Sequence, residues 1–131
     1  IVRGATMREL IRRCREEGGA AEVHVRSAYP PVIAPCFYGI NMSTIVELFA
    51  PKYFKGINPI DIEKQMMARA LGADSINYNT VEDSINATGS PGSEFCLACI
   101  TGKYPTKGGK RKFREALREY RRNPNPGSLR Q

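Results

Sequence analysis

The sequence predicts an α/β domain built on a parallel sheet. Residues 7–17 show the apolar spacing of an amphipathic helix, and residues 22–28 follow as a strand after a short connection. A second helix pattern, residues 59–71, is likewise followed by a strand pattern at residues 75–79. Helices that alternate with strands across short connections are typical of parallel strands, because each crossover returns the chain to the same end of the sheet.

A loop of small residues lies at residues 3–6, just before the first helix. Thr6 and Glu9 have the spacing of a capping box, which predicts that the helix begins at Thr6. Gly4 and Ala5 leave backbone N–H groups accessible, and the first helical turn adds free donors. The pattern fits either a phosphate-binding loop or an ordinary strand-to-helix turn. Such a loop normally completes a strand–loop–helix unit, so we expect these residues to be a piece of something longer.

The first helix and strand each have an apolar face. The helix residues predicted to face the core are Met7, Leu10, Ile11 and Cys14. Cys14 is therefore interpreted as a small buried hydrophobe. In the strand, Val23 and Val25 lie on one face, and His24 and Arg26 lie on the other. A lone strand histidine is usually structural, so His24 is given no catalytic role.

Capping patterns predict three further helices. Thr44 and Glu47 indicate a short helix that ends at Pro51. Asn58 followed by proline indicates the start of the next helix, and Thr80 caps another. The residues predicted to form the buried face of the second of these helices are Ile62, Met66, Met67, Ala70 and Leu71.

The C-terminal part of the chain is predicted to be a basic helical tail. Residues 110–121 form a charged helix after a glycine pair, with Phe113, Leu117 and Tyr120 as a thin apolar seam. We assign residues 107–131 to this tail and expect its end to be disordered.

The composition is that of a globular protein with a surplus of positive charge. The 131 residues are 41% hydrophobic, and 20 Lys and Arg against 13 Asp and Glu give a net charge of +7. Much of the surplus follows Thr106, where it indicates a nucleic-acid arm, a site for a polyanionic small molecule, or a solvated tail. A terminal basic segment is more often solvated, so nucleic acid is disfavoured. Without an apolar span or a signal peptide, we expect a cytoplasmic protein with no membrane partner.

Four cysteines without a secretion signal argue against a disulfide framework. Cys96 and Cys99 form a Cys-x-x-Cys pair, whose thiolates can bind one metal ion or a cluster. A structural zinc would need two more ligands from Cys14, Cys36 and His24. From the residues alone, a metal or cluster site and an ordinary core role both remain open.

Six blocks of sequence, in order along the chain, resemble the glutamine phosphoribosylpyrophosphate amidotransferase family. The blocks are residues 1–4 (IVRG), 22–26 (EVHVR), 30–31 (PP), 35–40 (PCFYGI), 72–75 (GADS) and 95–106 (FCLACITGKYPT). The resemblance implies that residues 1–106 are the C-terminal part of the phosphoribosyltransferase domain with a cluster-binding segment. The implied fold is a partial type I phosphoribosyltransferase fold, a parallel sheet with flanking helices that lacks its earlier strands, followed by the helical tail.

The resemblance also implies a reaction. Members of this family are glycosyltransferases that transfer glutamine-derived ammonia to phosphoribosylpyrophosphate with Mg²⁺, giving 5-phosphoribosylamine in the first step of de novo purine biosynthesis. The glutaminase half and the paired acidic residues of the family have no counterpart in this sequence. The chain alone is therefore expected to be inactive and is assigned no catalytic residue. Its expected partners are the missing N-terminal portion and further copies in a homo-oligomeric parent enzyme.

Two sites follow from the resemblance. Arg3, Gly4, Ala5 and Thr6 match the loop that binds the substrate 5-phosphate, with Ala5 replacing a threonine that is common there. Cys36, Cys96 and Cys99 match three ligands of a [4Fe–4S] cluster, and the fourth family ligand lies outside this chain. The alternative function is a non-catalytic metal- or iron–sulfur-binding interaction module.

Overall fold

A computed structural model describes residues 1–42 and 44–123. The elements, in chain order, are α1 (Ala5–Glu16), β1 (His24–Ser27), α2 (Asp61–Leu71), β2 (Ser75–Tyr78), α3 (Val81–Asn86), α4 (Ala98–Thr101) and α5 (Lys107–Arg122). Two short 3₁₀ turns occupy Ala50–Lys52 and Gly92–Glu94. The predicted disordered end of the tail lies outside the described residues. None of the described helices is long and apolar enough to cross a membrane.

The strands β1 and β2 pair in parallel, which confirms the predicted α/β class. His24 lies opposite Ser75 and Val25 opposite Ile76, and the backbone N–H of Asn79 extends the ladder to the Ser27 carbonyl. Val25 and Ile76 are buried, whereas His24 is exposed on the opposite face. The alternation predicted for the first strand is therefore confirmed, because one face of the sheet packs on helices.

One hydrophobic core joins the sheet to the helices on one side of it. Its buried members include Ile11 of α1, Met67 and Leu71 of α2, and Phe49 and Phe54 of the connecting segment. Apolar side chains from β1, β2, α2 and the connecting segment therefore fix the position of α1, and with it the loop at residues 3–6.

A carboxylate ties α1 to both strands at their amino ends. Asp74 Oδ2 accepts a hydrogen bond from the Val23 backbone N–H at 2.7 Å and lies 2.6 Å from Arg15 Nη2. Arg15 Nε also donates to the Gly72 carbonyl at 3.2 Å. The Val23 N–H, followed by Arg15, lowers the pKa of Asp74.

The apolar faces of α1 and α2 are narrower than predicted. Leu10 is 54% exposed and Ile62 is 58% exposed, and Met66 is also exposed. Ile11, Met67 and Leu71 are buried as predicted. A sheet of two strands offers a small surface, so residues at the margins of each helical stripe have nothing to pack against.

The segment between β1 and α2 differs most from prediction. The helix predicted from Thr44 to Pro51 is absent, and Pro51 instead lies inside the 3₁₀ turn Ala50–Lys52. Glu47 forms a salt bridge with Arg3 and does not cap a helix. The next helix, α2, begins at Asp61, because the Glu63 carboxylate accepts from the Ile60 N–H at 2.8 Å and caps the first turn there.

The helix α5 begins at Lys107, so the glycine pair lies within it. Thr106 caps it by accepting from the Gly109 N–H at 3.0 Å. Gly109 is buried, and a Cβ there would overlap the Tyr38 hydroxyl and stand 3.1 Å from Tyr104. Near its other end, Tyr120 Oη donates to the Pro51 carbonyl at 3.3 Å. The helix is therefore packed on the domain at both ends.

Candidate functional site

The loop before α1 presents unbonded amides, as a phosphate site requires. Gly4 has φ +82° and ψ −16°, and α1 starts at the next residue. The first helical bond runs from the Arg8 N–H to the Gly4 carbonyl at 3.0 Å. Within the described part of the chain, no acceptor is bonded to the N–H groups of residues 5–7. A left-handed residue followed by helical residues makes such N–H groups converge, which favours an anion.

The predicted capping box at this helix start is wrong. The helix begins at Ala5, with Gly4 as its N-cap and no capping side chain. Glu9 Oε1 instead lies 2.8 Å from Arg12 Nη2 and 2.9 Å from Arg13 Nε. These guanidinium hydrogen bonds lower the Glu9 pKa to about 2. Because Glu9 is engaged further along α1, the amides at the helix start stay available.

Contacts with the segment around Phe49 hold the loop in place. The Phe49 N–H donates to the Val2 carbonyl at 2.7 Å. A Cβ on Gly4 would stand 2.8 Å from Phe49 Cδ2, so the ring packs directly against the glycine backbone. Only glycine fits here, because of both this contact and the positive φ.

The four predicted phosphate-binding residues line one open hollow of about 410 Å³. Ala5 and Thr6 are exposed in the first turn of α1. Arg3 is exposed too, but its Nη2 lies 3.0 Å from Glu47 Oε2 and 3.4 Å from the Asn41 carbonyl. The loop therefore has two kinds of donor for an anion, the backbone amides and the Thr6 hydroxyl. Arg3 is less available because it pairs with the Glu47 carboxylate.

Three of the four cysteines lie on segments that meet. The backbone N–H groups of Ile33 and Ala34 both donate to the Cys99 carbonyl, at 2.8 and 3.0 Å, which holds the Cys36 loop against α4. Cys96 is exposed just before α4, while Cys36 and Cys99 are half-buried. Burial raises the pKa of Cys99, and the neighbouring charges of Cys36 and then Cys96 raise it further. Cys14 lies on α1 and is not among the charges that act on Cys99.

The Cys36 loop already has a donor directed at its sulfur. The Tyr38 backbone N–H donates to Cys36 Sγ at 3.5 Å, and the Cys36 N–H donates to the Met42 carbonyl at 2.8 Å. A cysteine whose sulfur accepts a backbone hydrogen bond on an ordered loop is the kind of ligand that iron–sulfur clusters use.

Aromatic side chains surround this loop, and three of them, Phe37, Tyr38 and Tyr104, were given no role by the sequence patterns. The buried Tyr104 Oη donates to the Pro35 carbonyl at 2.5 Å, and burial raises the pKa of Tyr104. Its ring centroid stands 5.2 Å from Phe37 and 5.0 Å from Phe113 of α5. Tyr38 Oη lies 2.9 Å from Thr106 Oγ1 at the start of α5. The signal that could have identified Phe37, Tyr38 and Tyr104 was their place in the same two blocks as the cysteines, at residues 35–40 and 95–106.

The described side chains around these thiols do not form a site for a single metal ion. Across residues 1–42 and 44–123, no group of three His, Cys, Asp or Glu side chains is arranged to hold one metal ion. His24, one zinc-ligand candidate, instead has Nδ1 2.9 Å from Ser75 Oγ and Nε2 3.0 Å from Glu22 Oε2. A four-iron cluster binds each thiolate at a different iron, so its ligands stand further apart than those of one ion.

The fold and these two sites describe part of an α/β domain with an amide-lined helix start and a group of three thiols. Comparison with known proteins confirms the resemblance: the chain is similar to part of amidophosphoribosyltransferase. It is 41% identical over 107 residues to the Methanocaldococcus jannaschii protein, and 44% identical over 108 residues to that of Mycobacterium tuberculosis. The identity with the Bacillus subtilis protein is 40% over 111 residues.

These matches cover most of this chain but a small part of each relative. They include 82%, 80% and 82% of the chain, respectively, and 20%, 19% and 21% of the relatives. The chain thus spans about a fifth of the length of the curated relatives it matches. No protein-family model matches the chain.

Proposed function

We propose that the chain is part of an amidophosphoribosyltransferase, which transfers glutamine-derived ammonia to phosphoribosylpyrophosphate and releases pyrophosphate. The product, 5-phosphoribosylamine, would make this the first step of de novo purine biosynthesis. The observation that carries the proposal is an identity of about 40% over four fifths of the chain to proteins of that name. Because the chain spans a fifth of their length, we assign the reaction to the longer enzyme and expect no turnover from the chain alone.

The loop at residues 3–6 would bind the 5-phosphate of the substrate. Its contribution is electrostatic and positional: the amides at the start of α1 and the Thr6 hydroxyl donate to phosphate oxygens, and the helix dipole favours the negative charge. Ala5 supplies its amide but no hydroxyl. Mg²⁺ would enter with the substrate, and its protein ligands would lie outside this chain.

Cys36, Cys96 and Cys99 would be three of the four ligands of a [4Fe–4S] cluster. Their approach across the Ile33–Cys99 hydrogen bond supports this assignment. Ligation would link the Cys36 loop to α4 covalently through the metal centre, so that binding contributes to folding. Free thiols suit a reducing compartment, and we place the enzyme in the cytoplasm.

Complementation tests the proposed function. The chain would be mixed with the remaining N-terminal portion of an iron–sulfur amidophosphoribosyltransferase, and pyrophosphate release would be measured with and without glutamine. We expect glutamine-dependent release from the mixture and none from either part alone. The matched pair Thr6→Val and Thr101→Val tests the loop, and only the first should raise KM for phosphoribosylpyrophosphate.

One outcome would favour the alternative function. A chain that associates with the N-terminal portion and binds iron, yet never supports pyrophosphate release, would be a non-catalytic iron–sulfur-binding interaction module. That result would contradict the proposed enzyme role.

A further inference from the structure

An apolar groove separates the second half of α5 from the segment that precedes α2. Its volume is about 400 Å³, within the range of about 300 to 1,000 Å³ that is usual for small-molecule sites. Its apolar lining comes mainly from Ile33, Pro51, Phe54, Phe113, Leu117 and Tyr120. The groove is distinct from the loop at residues 3–6 and from the three thiols.

The groove exists because α5 is held away from the domain along this stretch. Tyr120 reaches across to the Pro51 carbonyl, while Phe113 packs on Tyr104 at the other end. Between these two anchors, Leu117 is only half-buried. Apolar walls that face water lack dispersion contacts and remain unfavourably hydrated. An apolar ligand body that enters the groove therefore lowers the free energy.

The charge at the groove has a single sign. Lys55 and Arg121 are its charged lining residues, both exposed, and no acidic side chain among the described residues lines it. Within residues 1–42 and 44–123, neither Lys55 nor Arg121 forms a salt bridge. Two such cations beside an apolar hollow complement a ligand with an apolar body and an anionic head.

We propose that this groove binds a small amphipathic anion, with an apolar chain or ring between α5 and Phe54 and a carboxylate near Lys55 and Arg121. The anionic head stays close to solvent because both cations are exposed, while the body displaces water from the apolar walls. The proposal stands on the groove and its charge, independently of the proposed enzyme function.

Calorimetric titration of the full chain with dodecanoate, dodecylamine and dodecanol, each below its micelle concentration or solubility limit, tests the proposal. We expect dodecanoate to bind with one site per chain and roughly tenfold more tightly than dodecanol, with dodecylamine weakest, because two exposed ion pairs together can supply a preference of that size. The double variant Lys55→Ala/Arg121→Ala should lose that tenfold preference. The matched control Lys110→Ala/Arg114→Ala removes the same charge from α5 outside the groove and should keep it.

Four results would overturn the proposal. Equal affinity for dodecanoate and dodecanol would show that the two cations do not select the ligand. An equal loss in both double variants would mean that net charge alone attracts the anion. Self-association of the chain in sedimentation experiments that excludes dodecanoate would instead assign the groove to a second copy. A Leu117→Glu variant that keeps its helical circular dichroism yet binds dodecanoate unchanged would place the ligand elsewhere.

Discussion

Gly4 determines the shape of the candidate phosphate loop. Its positive φ turns the N–H groups of the first turn of α1 toward one point, and its lack of a side chain lets Phe49 pack against the backbone. The sequence predicted small residues at this position but assigned the helix cap to Thr6. The error has a physical cause: Glu9 is drawn away by Arg12 and Arg13.

Substitution of Gly4 by alanine should destabilise the domain and weaken phosphate binding. Strain at positive φ costs about 1 kcal/mol, and overlap with Phe49 adds about 1–3 kcal/mol. Gly19 is the control, because its φ is +65° but a Cβ there would have no other atom within 4 Å. Urea unfolding should give a loss of about 2–4 kcal/mol for Gly4→Ala and about 1 kcal/mol for Gly19→Ala. Equal losses would mean that the Phe49 contact is unimportant.

Asp74 should make stability depend on acid pH. Its pKa is lowered in the folded state by the Val23 N–H and then by Arg15, so its ionised form favours folding. That contribution is present above its unfolded pKa and is lost in the acid range below it, as pH falls through the folded value. Urea unfolding across this range should show a shallower pH dependence for Asp74→Asn than for the wild type. Parallel profiles would refute the role of Asp74.

Among the secondary-structure elements, the sequence predicted those that depend on interactions between residues close together in the chain. Periodicity predicted the helices α1, α2 and α3 and both strands, but of the caps predicted for these helices only Thr80 is confirmed. Gly4 precedes α1 in place of Thr6, and Ile60 precedes α2 in place of Asn58.

The helix predicted at Thr44 does not form. Instead, Glu47 pairs with Arg3 and the Phe49 N–H donates to the Val2 carbonyl, and both partners are distant in sequence. The approach of the Cys36 loop to α4 was likewise inaccessible to spacing alone, since it depends on hydrogen bonds between the Ile33 segment and α4. For the candidate site, the family resemblance supplied the grouping of residues. The packing roles of Tyr38 and Tyr104 were not predicted.

The two adjacent glycines of α5 should respond to alanine with opposite signs. At Gly108 a Cβ meets nothing within 4 Å, so Gly108→Ala should stabilise the domain by about 0.5–1 kcal/mol through helix propensity. At Gly109 a Cβ meets Tyr38 and Tyr104, so Gly109→Ala should destabilise it by about 1–3 kcal/mol. Chemical denaturation of the two variants gives the comparison. Stabilisation by both substitutions would show that α5 does not pack on the Cys36 loop.

At the scale of the whole molecule, long-range contacts connect the parts. The opening loop, the Cys36 loop and α5 are distant in sequence, yet each packs against a neighbouring segment through named contacts: Phe49 on Gly4, Cys99 on Ile33, and Tyr104 on Phe113. A chain that spans a fifth of its relatives thus folds around two candidate sites. Both sites use groups that the described structure leaves accessible, the amides before α1 and the thiols around α4.

Anaerobic reconstitution of the chain with iron, sulfide and a small thiol tests the grouping of the cysteines most directly. Iron and acid-labile sulfide would be counted per chain, with visible absorption as a check. The wild type and the control Cys14→Ser should each bind about four irons per chain, with the small thiol as the fourth ligand. Each of the variants Cys36→Ser, Cys96→Ser and Cys99→Ser should lose most of the bound iron. Iron binding that survives replacement of any one of these three cysteines unchanged, or that requires Cys14, would contradict the account.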